Sequence, residues 1–111
     1  ITSKNPLTMI LENNKFNGTN YTDWLRSLMI VLHYENQRYI MDKLLPLILS
    51  AGSSSDERET FERWHADHRK VRSIILALMS NNIQKQYDRL DDVASILQCM
   101  KEVYAIPNRH T

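Results

Sequence analysis

The sequence predicts an all-α protein, a compact bundle of about five helices behind an extended N-terminal arm. Two observations carry that reading. The 111 residues include only two glycines and three prolines, too few for the tight turns of a β-sandwich. Apolar residues also recur at steps of three and four along the stretches that open at Tyr21, Phe61 and Val93, as on one face of a 3.6-residue helix. The length is that of one domain, with a core able to cover roughly two thirds of the unfolded surface.

The chain divides into an arm and turn over residues 1–19, a helical domain over 20–106, and a tail or linker start over 107–111. In the arm, Leu7, Met9 and Leu11 alternate as they would in an extended segment with one buried face. Asn17-Gly18 is turn chemistry, because both residues tolerate left-handed backbone. The first helix is expected from Tyr21 to His33, with Tyr21, Trp24, Leu25, Leu28, Val31 and Leu32 inward, and Asn20 as its N-cap. Ile30 and Tyr34 fall on the opposite face. A short second helix is expected from Asn36 to Leu45, stopped by Pro46. Ser54 and Glu57 have capping-box spacing and should open a long helix, with Phe61, Trp64, His68, Val71, Ile75 and Leu78 on one stripe. Apolar residues from Ile74 to Met79 cover nearly every side, which marks the most buried part of the bundle, before Asn81-Asn82 interrupts or caps it. Ile83, Tyr87 and Leu90 suggest a short fourth helix. Asp91 or Asp92 can cap a fifth, striped by Val93, Ile96, Leu97, Met100 and Tyr104 and closed by Pro107. The core anchors expected from these stripes are Tyr21, Trp24, Leu28, Phe61, Trp64, Val71, Ile75, Met79, Leu97 and Tyr104.

Composition narrows the function. Fourteen basic and thirteen acidic residues give a net charge of +1, so no overall field draws the chain to nucleic acid or an anionic membrane. One cysteine, Cys99, allows neither an internal disulfide nor a cysteine-rich zinc site, and fits a reducing compartment. No apolar run reaches membrane-spanning length, and no signal-peptide pattern is present. The chain opens at Ile1 and stops shortly after Pro107, and is read as a segment of a longer polypeptide.

His65 and His68 share a helix face, but lack the i, i+4 histidines and glutamate of a zinc protease, so a half-buried structural His68 is expected and no metal or other cofactor. No nucleophile and base can be paired by spacing, and neither glycine belongs to a phosphate loop, so no enzyme is expected. Arg69, Lys70 and Arg72 are the nearest approach to a basic patch. Without interleaved aromatic residues they read as a solvated face, with weak RNA contact as the minor alternative.

Two blocks then carry a resemblance. Phe16-Asn17-Gly18-Thr19-Asn20-Tyr21-Thr22-Asp23-Trp24 has the order apolar, x, Gly, x, Asn, Tyr, x, x, Trp, and continues through Leu25, Leu28 and Leu32. The second stretch runs from Trp64 through Asp67, Arg72, Ile75, Leu76 and Met79-Ser80-Asn81 to Leu97, Lys101, Glu102 and Tyr104. In combination they resemble the N-terminal capsid region of the Gag polypeptide of plant copia-type LTR retrotransposons, over nearly the whole chain. One departure is Val93-Ala94-Ser95-Ile96-Leu97, where such proteins often carry an aromatic residue. The resemblance implies an α-helical capsid-type structural domain that self-assembles into cytoplasmic virus-like particles, with RNA packaged mainly by other parts of Gag and no membrane partner. A host-adopted Gag domain that binds a peptide or partner protein in an apolar groove beside the first helix is the rival reading. Leu7, Met9, Leu11, Ile30 and Tyr34 are the candidate interface residues.

Overall fold

A computed structural model of the chain describes residues 9, 13, 15–42 and 49–105. Among them the fold is all-α, with five helices: α1 (Tyr21–Tyr34), α2 (Tyr39–Asp42), α3 (Ser55–Ala77), α4 (Asn81–Tyr87) and α5 (Val93–Tyr104). The long α3 is the hub against which α2, α4 and α5 pack.

The entry to α1 is built from asparagine side chains. Asn17 Oδ1 accepts the amide and hydroxyl of Thr19, while Asn20 Oδ1 accepts the Asn17 amide and its Nδ2 donates to the Lys15 carbonyl. Asn20 therefore holds the turn together, and its side chain makes no capping bond to α1, contrary to the expectation from sequence. Gly18 sits at φ +95° inside this turn. At the other end Gln37 N–H donates to Leu32 O at 2.8 Å and Asn36 N–H to His33 O at 3.1 Å, a Schellman closure with Asn36 at φ +61°. This closure corrects the predicted start of the second helix. Asn36 ends α1, and α2 begins only at Tyr39. The predicted stop before Pro46 lies outside the described residues.

The box at Ser54 forms as its spacing predicts. The Glu57 amide donates to Ser54 Oγ at 3.1 Å, and the Ser54 amide donates to Glu57 Oε1 at 2.7 Å. The far end of α3 departs from the sequence reading. The helix stops at Ala77, and Met79 is paired with Phe16 in an isolated parallel bridge. Phe16 N–H donates to Leu78 O and Ser80 N–H to Phe16 O, both at 2.9 Å. The all-round apolar stretch from Ile74 to Met79 is thus a helix end followed by a buried extended turn, and the expected short fourth helix begins at Asn81. Gln84 Nε2 returns to the Leu76 carbonyl at 2.8 Å, satisfying one of the acceptors that the end of α3 exposes. Asp92 caps α5 through the Ser95 amide at 3.1 Å.

Phe16, assigned to the arm by sequence, lies wholly within the core. Its ring meets Trp24 at 5.3 Å, Tyr21 at 6.1 Å and Tyr104 at 4.8 Å. Tyr21, Trp24, Leu28, Trp64, Val71, Ile75 and Met79 are buried with it. Phe61 is not: it is half-buried and stands 4.3 Å from His65, one turn too near the exposed start of α3 to reach the core. Leu97 and Tyr104 are partly buried and pack on the core's edge. Among the described residues the indole N–H groups of both tryptophans are buried without an acceptor, so these side chains stabilise through packed volume.

Truncation of Phe16 to Ala is expected to cost about 3–5 kcal/mol in urea unfolding, as for other buried aromatic residues. Gly18→Ala should cost about 1–2 kcal/mol through its backbone conformation alone. A Cβ there would meet Ile83 and Tyr104 only at 3.7 Å. Gly52→Ala, with open space around it, serves as the control and should be nearly neutral.

Candidate interaction surfaces

Burial of Leu28, Val31 and Leu32 turns the opposite face of α1 to solvent. Ile30 is 52% and Tyr34 62% exposed, the largest such values on the helix for apolar side chains. Beside them Arg26, Met29, Ile30, His33 and Arg38 line a cavity of about 410 Å³ with an apolar floor and a basic rim. Arg26 is held by Asp23 at 2.6 Å, an exposed pair one helical turn apart. Met9 is exposed and has helical backbone, which corrects the extended reading at that residue; Leu7 and Leu11 lie outside the described residues.

A second depression lies where the α1–α2 turn approaches α3. Its first part, about 540 Å³, is walled by Gln37, Tyr39, Trp64, Asp67 and Lys70, and an adjoining part shares Glu35, Gln37 and Lys70 and extends to Arg69 and Ile74. The Tyr39 hydroxyl donates to Asp67 Oδ2 at 2.6 Å across this wall. Burial, then the bond to Asp67 and its charge, push the Tyr39 phenol up to about 12, against a smaller opposing effect of Arg63. Tyr87 reaches about 12 as well, chiefly through burial and then through Tyr104. Burial raises Tyr21 too.

The three candidate RNA-contacting bases separate in the structure. Arg69 and Lys70 are exposed on α3. Arg72 is not available: its Nε donates to Leu90 O and a terminal nitrogen to Asp88 O, both at 2.7 Å, so it ties the exit of α4 to α3. This corrects its assignment as a surface base. His68 also spans elements. Its Nε2 lies 3.1 Å from the Val93 amide and 3.3 Å from Asp92 Oδ1, and its ring stacks on Trp64 at 5.0 Å. One nitrogen cannot both accept and donate, and the first amide of α5 needs an acceptor, so we assign Nε2 as acceptor with the proton on Nδ1.

No family model, curated protein or solved structure matches the chain. Among the described residues no helix is long and apolar enough to cross a membrane, and no three His, Cys, Asp or Glu side chains are grouped to hold a metal. Sequence reasoning found Ile30 and Tyr34 but not the basic rim around them. The i, i+4 spacing of Arg26 and Ile30 was the available signal, whereas Arg38 joins only because the Asn36 turn brings it back.

Arg72→Gln should destabilise the fold by about 1–3 kcal/mol in chemical unfolding, because the part-buried Leu90 carbonyl and the exposed Asp88 carbonyl both lose a charged donor. In alkaline solution Tyr39 and Tyr87 keep their protons when folded above the value of 10 at which the unfolded chain loses them. The stability they contribute is therefore complete below pH 10 and is lost as pH rises toward 12. Urea midpoints measured across that range should fall less steeply for the Tyr39→Phe/Tyr87→Phe variant than for the parent chain.

Proposed function

We propose that this chain is a capsid-type assembly domain of a copia-like Gag polypeptide, building intracellular particles through protein–protein contacts and carrying out no catalysis itself. The observation that carries this reading is the exposed apolar face of α1, where Ile30 lines a cavity and Tyr34 stands exposed one turn further on. Large apolar side chains clustered in this way are suited to contact with another protein surface. The two sequence blocks behind the resemblance also meet in space, since Phe16 of the first pairs with Met79 of the second. A shell multiplies many weak copies of one contact, so a single domain needs only a modest interface. RNA would be held mainly by other parts of the polypeptide.

The second reading, a Gag-derived adaptor that takes a peptide, is favoured by the depression between Tyr39 and Trp64. Its size suits a small ligand or a few residues of extended chain.

Negative-stain electron microscopy and sedimentation of the chain at high concentration separate the two. The assembly reading expects self-association that Ile30→Asp abolishes while circular dichroism stays unchanged. Strict monomers that bind extended peptides, with Trp64 fluorescence reporting, would favour the adaptor instead.

A further inference from the structure

Two surfaces of the described chain carry unspent charge of opposite sign. On the α1 face the cavity floored by Met29 and Ile30 has no carboxylate in its lining, only Arg26, His33 and Arg38. Asp23 already occupies Arg26, while the Arg38 guanidinium has no hydrogen bond or ion pair among the described residues. At the opposite sign is the start of α3, where Asp56–Glu62 holds four acids and one base, the most acidic stretch of seven in the chain. Glu57 is spent on the capping box and Glu59 on Arg63, which leaves the Asp56 and Glu62 carboxylates without partners among the described residues. At 3.6 residues per turn, Asp56, Glu59 and Glu62 fall within about 120° of the helix circumference, so they form one stripe.

We infer that the occupant of the basic α1 cavity is the acidic amino-terminal end of α3 from a second copy of this chain. This rests on the assembly reading and names its contact. In that contact the aliphatic stem of Glu62 lies over Met29 and Ile30, and the Asp56 and Glu62 carboxylates reach Arg38 and the guanidinium donors of Arg26 that Asp23 leaves open. An RNA backbone would place phosphates against the apolar floor, so a protein segment with both acids and methylenes fits better. Where each patch of one molecule meets the complementary patch of a different neighbour, the contact runs head to tail. Such contacts propagate into rings, filaments or shells instead of stopping at a two-fold dimer.

Charge reversal with rescue tests this. The first variant is Arg26→Glu/Arg38→Glu and the second is Asp56→Lys/Glu62→Lys, each checked for folding by circular dichroism. Sedimentation equilibrium of the wild-type chain at low ionic strength should show association that weakens as added salt shortens electrostatic range. Each variant alone should associate about tenfold more weakly or worse, because like charges then face each other. An equimolar mixture of the two should regain wild-type association, since each supplies the sign the other lacks, and the chain carrying all four reversals should associate by itself. Wild-type association that neither pair of reversals disturbs, or losses that mixing does not repair, would overturn this contact and leave the assembly reading standing. A wild-type chain that stays monomeric at every concentration and salt would overturn both.

Discussion

The fold depends on one short backbone pairing. Phe16 exchanges hydrogen bonds with Leu78 and Ser80, and this places its ring among Trp24, Tyr21 and Tyr104. A helical bundle otherwise has no use for an extended residue in its centre, because an unpaired buried amide and carbonyl would be costly. Here the end of α3 supplies the partner. The chain leaves helical geometry at Leu78, frees one carbonyl and one amide, and uses both on Phe16. The pairing joins the segment before α1 to the junction of α3 and α4, so two ends of the domain are closed by the same few atoms.

Side chains that look like surface residues in the sequence close the remaining junctions. Arg72 reaches two carbonyls beyond α4, Gln84 returns to the end of α3, and His68 receives the first amide of α5. Each answers the same need: helix ends leave donors and acceptors open, and short connections leave little water to satisfy them. Consequently α3 organises the bundle by polar contacts along its flanks as well as by its apolar stripe. Those groups are committed within the chain, whereas Arg69 and Lys70 stay exposed on α3.

What the surface offers a partner follows from that commitment. On α1, five inward residues set the rotation of the helix, and the rotation alone determines that Ile30 and Tyr34 face solvent. The Schellman closure at Asn36 then reverses the chain and delivers Arg38 to the same cavity and Tyr39 to the neighbouring one. A single left-handed residue therefore shapes both depressions.

The sequence by itself determined the class of fold and most helix starts, because periodic burial and capping are local: Ser54 with Glu57, Asp92 before Val93, and the stripe from Tyr21 to Leu32 depend on residues within a turn or two. It also placed Ile30 and Tyr34 on the outer face, since a helix that buries one side must expose the other. Only the tertiary structure decided the rest. Phe16 was legible as a motif residue but not as the centre of the core, because its partner lies more than sixty residues away and pairs through backbone atoms that leave no side-chain signature. Arg72 read as a surface base because charge is visible in sequence and a distant carbonyl is not. Phe61 fitted the stripe of α3, yet a stripe carries no information on how far along the helix the core extends, and Phe61 is left half-buried beside His65.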